Sequence, residues 1–364
     1  MYCSGLIMKI YYITFIIILY CKLAFDVRCV TARNSVIIDT DPGSDDALAI
    51  LLALAYEKSS SEDFKVLAIT CTYGNTYLEN VEKNVLKILE IADRSDIPVY
   101  SGSKKSLIYN FTASNYFGKD GLGDFEFDKN ITGKINRTKH ASMVIVDMAK
   151  QYPDEITIIC LGPLTNIATA IILEPNLQDY VKNIFIMGGS VAGIGNFKPN
   201  VEYNFGNDPE SNFISLNSTT KTPVILIPWD VCLSYKISLE WRYNVFGKLN
   251  STMVDFLNKA ERIALNSTVE WCPIDTIAVA TVIWPAFILK STLKNIYPVI
   301  DGTGRGSILV DYAESTDRIK NAKIIQEYDM FLLTWLNLPR NLIRMGEDTN
   351  LVSNIVQQVS ICYF

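Results

Sequence analysis

The strongest constraint on the fold is an alternation. Short continuous apolar runs recur along the chain, and each is followed by a polar motif and then a helix-patterned segment. VIID (36–39) leads into ALAILLALAYEK, and FKVLAITCT (64–72) into YLENVEKNVLKILEIA, whose apolar residues fall at helical spacing. ITIICLG (156–162) leads into LTNIATAIIL, VKNIFIMGG (181–189) into a Gly/Asn-rich loop, and TPVILIP (222–228) closes the series. Strands that are apolar throughout are covered on both faces, and helices between them make the crossovers that parallel strands need. The expected fold class is therefore α/β, a mainly parallel open sheet with helices on both faces, Rossmann-like in layout. In such sheets ligands bind beyond the carboxyl ends of the strands. The polar motifs DTDPGSDD, TYGN, LGPLTN and MGGSVAGIGN all lie there and are expected to converge on one cleft.

The N-terminus does not share this pattern. Lys9 precedes the apolar run IYYITFIIILY, and CKLAFDVRCVTA follows it with small residues suited to cleavage. This is the form of a secretory signal peptide, with Met8 an alternative start. The run is short for an uncleaved membrane anchor, which stays the alternative. The expected organisation is a signal peptide and short leader over 1–32 and a single domain over 33–364. No linker, repeat or low-complexity tract follows residue 34, and the apolar stretch IAVATVIWPAFIL is broken by Pro285 and preceded by Asp275, so no later span is expected. Six N-glycosylation triplets, at Asn110, Asn130, Asn136, Asn217, Asn250 and Asn266, agree with secretion, although Asn-rich sequence produces some by chance. Cys71, Cys160, Cys232, Cys272 and Cys362 are scattered without CxxC spacing, so they read as buried small residues with one or two disulfides. A net charge of -6 with no basic block argues against nucleic acid as a partner.

Asp39, Asp41, Asp45 and Asp46 crowd the end of the first strand. Pro42-Gly43 makes a turn, Ser44 caps a helix, and Asp45 and Asp46 suit its positive end. That leaves Asp39 and Asp41 unexplained at the mouth of a buried strand. A hard cation bound by oxygens accounts for them, and Ca²⁺ is the expected cofactor. Zinc is disfavoured, because His140 is the only histidine and no Cys/His cluster exists. An Asp-x-Asp phosphotransferase of the haloacid dehalogenase type would need Thr or Val where Gly43 stands.

VIIDTDPGSDDALAILLAL resembles the signature of the inosine–uridine-preferring nucleoside hydrolase family. CTYGNTYLENVEKNV, LGPLTNIATAI, MGGSVAGIGNFKPNVEYNFGNDPES and RGSILVDY resemble its further motifs, in order, from about residue 36 to 312. The resemblance implies the nucleoside hydrolase fold and calcium-dependent hydrolysis of the N-glycosidic bond of ribonucleosides, giving free base and ribose. It implies Asp41, Asp46, the Leu161 carbonyl and Asp275 as calcium ligands, with Asp41 also the base that activates the attacking water. It implies Asp45, Asn75, Asn196, Glu202 and Asn204 as holders of the ribose hydroxyls. It also implies a homodimer or homotetramer.

The departure concerns the leaving base. Where base-nonspecific members carry histidine before the last calcium aspartate, this chain has Ile274, and a second family histidine corresponds to Phe117. His140 lies outside every motif and is expected at the surface. Purine-specific members stack the base between aromatic rings, and Phe117 is the best candidate here, with Tyr116, Trp229 and Trp271 beside it; ordinary packing is the competing account for each. The expected activity is a secreted, extracellular purine nucleosidase acting on inosine, adenosine or guanosine, free of the membrane after signal cleavage. A nucleoside-binding protein without turnover, and a purely structural secreted glycoprotein, are the alternatives.

Overall fold

A computed structural model describes residues 34–59, 64–217, 222–235 and 237–330; the expected signal peptide, Cys362 and its surroundings lie outside them. The alternating runs become strands of one sheet: β1 (Asn34–Thr40), β2 (Phe64–Cys71), β3 (Val99–Tyr100), β4 (Ile135–Asn136), β5 (Ile156–Cys160), β6 (Asn183–Met187) and β7 (Val224–Ile227). Two short strands follow, β8 (Ile237–Ser238) and β9 (Glu270–Trp271), which pair with each other outside this sheet. Next come β10 (Ile288–Lys294), β11 (Ile296–Pro298), β12 (Ile308–Val310) and β13 (Ala322–Tyr328). The large sheet runs β10-β13-β7-β6-β5-β1-β2-β3-β4, parallel except for the antiparallel edge pair β10–β13. β11 and β12 form a separate antiparallel ribbon.

The side-chain alternation of β1 shows how both faces are filled. Val36 and Ile38 join one core cluster and Ile37 the other, as a period of two requires. On the first face lie the helices Ser44–Ser59, Leu78–Ile91, Thr252–Ala260 and Ile274–Ile283; on the second lie Ala141–Gln151 and Thr165–Leu173. Helix Ser44–Ser59 is buried from Ala47 to Ala55 without interruption, so it needs no polar stripe. The run that Pro285 breaks is helix Ile274–Ile283 followed by a 3-10 turn. Among the described residues no helix is long and apolar enough to cross a membrane.

Strand order reverses at β1, which has β2 on one side and β5 on the other. The loops after β1, β2, β5 and β6 therefore open on the same end of the sheet, at its switch point.

Candidate active site

The loop after β1 turns at Pro42-Gly43, and the helix at Ser44–Ser59 places Asp45 and Asp46 in its first turn. Asp46 accepts hydrogen bonds from Thr40 Oγ1 at 2.5 Å, Gly43 N at 3.1 Å and Asn75 Nδ2 at 3.1 Å. Asp41 Oδ2 accepts from Asn75 N at 2.6 Å. Asp275 arrives from the first turn of helix Ile274–Ile283, which packs against helix Ser44–Ser59. Asp45, Asp46 and Asp275 present carboxylate oxygens all within 4.8 Å of one another. Asp41 is fully buried beside them, and the charges of Asp46 and Asp45 act on it.

Asp41 is also hemmed in by backbone. A Cβ on Gly74 would sit 1.9 Å from Asp41 Oδ2, and one on Gly162 would sit 2.5 Å from Asp41 Oδ1. Only glycine at both positions lets the loops after β2 and β5 close on this carboxylate.

Burial, followed by repulsion from Asp46, pushes Asp41 well above the ordinary carboxylate range; the same two causes raise Asp45 to about 8. Asp275 is raised well above its usual value by burial and then by Asp46, Asp45 and Asp41, and burial raises Asp46. Asp41 Oδ1 and Asp275 Oδ1 are buried with no hydrogen-bond partner. Buried oxygens left this way call for a proton or a cation. An all-oxygen donor set without Cys or His fits a hard divalent ion.

Asp39 has side-chain donors of its own. Its Oδ1 accepts from Thr70 Oγ1 at 2.6 Å and Asn166 Nδ2 at 2.8 Å. Burial lifts it to about 7 against these donors. These donors tie β1 to β2 and to the LGPLTN turn and account for Oδ1, while Oδ2 is buried without a partner, as are Asp41 Oδ1 and Asp275 Oδ1.

The remaining sequence-predicted residues line one cleft of about 710 Å³, which holds Asp45, Asn75, Phe117, Leu161, Asn196, Glu202, Asn204 and Asp275. Glu202 caps helix Tyr203–Asn207 and accepts from Asn204 N, Phe205 N and Gly189 N at 2.8–3.0 Å; burial still raises it to about 7. Asn204 Nδ2 donates to the Leu161 carbonyl at 2.7 Å, and Asn196 Oδ1 accepts from Tyr203 N at 2.8 Å. Two placements refine the expectations. Asp45, expected only at the ribose, belongs to the tightest carboxylate trio, and Asp41 lies beside that trio rather than in it.

The cleft also carries apolar and aromatic side chains, Tyr116, Phe117, Trp229, Leu233, Leu265, Trp271 and Ile274, with Glu261, Ser267, Thr268 and Glu270 among them. A Cβ on Gly43 would meet the Phe117 ring at 2.6 Å, so that ring packs directly on the aspartate loop. Tyr116 stands edge-on to Phe117 at 4.8 Å and is half exposed at the rim. Trp271 is 5 % exposed and stacks on Trp241, so packing and cleft lining are both true of it. His140 is exposed and caps helix Ala141–Gln151, and no histidine lines the cleft.

Sequence reading named Trp229 and Trp271 but missed what holds them together in the excursion after β7. Cys232 and Cys272 form a disulfide that joins helix Trp229–Ser234 to the segment before Asp275. Cys71 and Cys160 are free and buried. Glu261 and Arg242 form a buried ion pair behind Trp271. The only signal for this was that each disulfide cysteine lies close to a tryptophan, in PWDVC and EWC.

Comparison with known proteins agrees with this geometry. The profile of the inosine-uridine preferring nucleoside hydrolases matches residues 36–332. Probable uridine nucleosidase 2 of Arabidopsis thaliana is 40% identical over 182 residues, 49% of this chain and 54% of that protein. Pyrimidine-specific ribonucleoside hydrolase RihA of Escherichia coli O1:K1 / APEC is 36% identical over 222 residues, 60% of this chain and 68% of that protein. The alignment thus spans about half the length of the first of these relatives. Among solved structures, an inosine-guanosine nucleoside hydrolase superposes with a TM-score of 0.77 at 28% identity, covering 86% of this chain and 99% of its own. The purine-preferring ribonucleoside hydrolase from Gardnerella vaginalis gives 0.74 at 25% identity, covering 90% and 100%. With the profile spanning residues 36–332 of the chain and the motif residues gathered around one cleft, the chain belongs to the inosine-uridine preferring nucleoside hydrolase family.

Proposed function

We propose that this protein hydrolyses the N-glycosidic bond of ribonucleosides, with purine nucleosides preferred, using Ca²⁺ and acting outside the cell. One observation carries the reading: a buried carboxylate cluster with unpartnered oxygens adjoins a cleft that is also lined by aromatic rings. Asp41, Asp46, Asp275 and the Leu161 carbonyl would hold the ion, with Asp45 beside them. Bound there, calcium would neutralise the carboxylates, orient the ribose 2′- and 3′-hydroxyls and make the attacking water more acidic. Asp41, through Oδ1, takes the proton of that water. Asp45, Asn75, Asn196, Glu202 and Asn204 hold the ribose, and their oxygens stabilise the positive charge that grows on the sugar as the bond to the base breaks. The bonding electrons leave with the base nitrogen, which gains a proton, while the sugar carbon gains hydroxide.

The cleft offers no imidazole to supply that proton. Stacking on Phe117, with Tyr116, Trp229 and Trp271 at hand, supports a purine leaving group protonated from solvent while held between rings. The names of the sequence relatives favour the competing reading, in which uridine is the substrate. The leader-like N-terminus, the Cys232–Cys272 disulfide and the exposed triplet asparagines Asn110, Asn130, Asn217, Asn250 and Asn266 support secretion.

The test is release of reducing sugar from inosine, adenosine, guanosine, uridine and cytidine, with and without chelator, beside an Asp41→Asn variant. Release from purines alone, abolished by chelator and in the variant, is the expected result. Equal release from uridine refutes the purine preference. No release despite bound calcium makes the protein a nucleoside-binding protein.

A further inference from the structure

Granted that the cleft takes a nucleoside, we infer that Glu261 reads the hydrogen-bonding edge of the base and selects bases whose ring nitrogen carries a hydrogen. Within the purines this means inosine and guanosine over adenosine.

Glu261 ends helix Thr252–Ala260 and is 3 % exposed, yet it is among the residues that line the cleft. Its Oε1 accepts from Trp271 Nε1 at 2.8 Å and its Oε2 from Arg242 Nε at 2.5 Å. Arg242 is completely buried. Its Nη1 donates to Asn258 Oδ1 at 2.8 Å, and its guanidinium lies 5.0 Å from the Phe246 ring centre and 5.4 Å from that of Trp271.

This arrangement adds little stability, since a well-packed apolar group in place of a buried ion pair is often as stable or more so. What it does is fix a carboxylate. Burial raises the Glu261 carboxyl and the Arg242 charge opposes that rise; donors from Arg242 and Trp271 reach both of its oxygens, so both stand as acceptors. Each carboxylate oxygen can take two hydrogens; Arg242 Nε and Nη2 both reach Oε2, while Oε1 meets Trp271 Nε1 alone, so the spare acceptor direction lies on Oε1. The remaining acceptor capacity belongs to a side chain whose small exposed surface lies on an otherwise aromatic and aliphatic wall, made by Trp229, Leu233, Leu265, Trp271 and Ile274. Glu270 also lines that wall but is more open to solvent. Glu261 is close enough to the sugar end for its charge to act on Asp45.

A fixed acceptor at the base end distinguishes two edges. Hypoxanthine and guanine present N1–H, which donates to it. Adenine presents a bare N1 lone pair, which it repels. A site built around such a bond rejects the analogue that lacks it. Uracil carries the same kind of ring N–H at N3, so Glu261 reads the edge of the base, and its size is left to the aromatic walls.

The experiment compares kcat/KM for inosine, 1-methylinosine and adenosine in the wild-type protein and in Glu261→Gln. For the wild type, inosine should exceed both others by about 10- to 100-fold, the range of one charged hydrogen bond. In Glu261→Gln the amide oxygen goes to Arg242 and the NH₂ takes the place of Oε1, where it forfeits the bond from Trp271 Nε1 and presents hydrogens instead of an acceptor to the base. Inosine then falls while adenosine holds or rises, an inversion that simple loss of structure does not produce. Equal wild-type rates on inosine and adenosine overturn the inference without needing a variant. A parallel fall of both substrates in a folded Glu261→Gln also overturns it and leaves Glu261 as a prop for Trp271. Both results leave the hydrolase reading standing, whereas no turnover of any nucleoside by the wild type removes that reading and this one together.

Discussion

Replacing Asp275 by asparagine is expected to move the melting temperature in opposite directions with and without calcium. Asp275 lies within 4.8 Å of Asp45 and Asp46, is buried, and has an oxygen with no partner. Two unit charges about 5 Å apart at an effective dielectric of about 20 repel by about 3 kcal/mol, a ceiling for each pair. Without metal the cluster escapes part of this by keeping protons, as the lift of Asp45 to about 8 implies. A neutral isostere should therefore relieve about 1–2 kcal/mol, or roughly 2–8 °C at about 2–4 °C per kcal/mol. With calcium at about 100 times its dissociation constant, the wild type gains about 2.7 kcal/mol. The variant, short of one ligand, should forfeit most of that gain. Thermal unfolding at pH 7.5 in chelator and in millimolar calcium reads both arms. A variant that is destabilised equally in both buffers would refute the cation account and leave Asp275 as an ordinary buried polar residue.

Gly74→Ala and Gly162→Ala should each fold with modest strain yet lose about 100-fold or more in nucleoside turnover, because either Cβ must displace Asp41, and a 1 Å misplacement costs about that much; a variant with full activity would show that Asp41 need not sit where it does. Reducing the Cys232–Cys272 bond, or replacing Cys232 by serine, should lower stability by about 3–4 kcal/mol for a 40-residue separation, read as a lower melting temperature in reductant. Glu202 has a folded-state pKa raised from 4.5 to about 7, so its stabilising contribution is complete below pH 4.5 and lost as pH rises through about 7. At about 1.4 kcal/mol per pH unit the ceiling is about 3 kcal/mol, and the difference in melting temperature between wild type and Glu202→Gln should shrink over that window.

The parallel core was legible because a strand buried on both faces must be apolar throughout, and β1, β2, β5, β6 and β7 are. The same logic placed the motif loops at one end of the sheet, where the structure gathers Asp45, Asn75, Leu161, Asn204 and Asp275. The two donors to Asp39 Oδ1 were not legible because spacing along a strand does not reveal who donates across it; Thr70 and Asn166 lie 31 and 127 residues away. The excursion between β7 and β10 was not legible either. Its elements are short, and what holds them together is one disulfide, the Glu261–Arg242 pair and stacked rings, none of which leaves a periodic trace in sequence.

That excursion has a practical consequence. From Trp229 to Trp271 the chain supplies most of the base-end wall, stapled to itself by contacts among Arg242, Asn258, Glu261 and Trp271, while the sugar-end residues come from loops of the parallel sheet. On the proposed reading, much of base recognition falls in a nearly contiguous cassette, with Tyr116 and Phe117 added from outside it. Transplanting the stretch from 229 to 273 together with residues 116 and 117 between relatives of different taste should carry the preference across. An engineer seeking a new nucleoside would diversify there first and leave the aspartate loop alone.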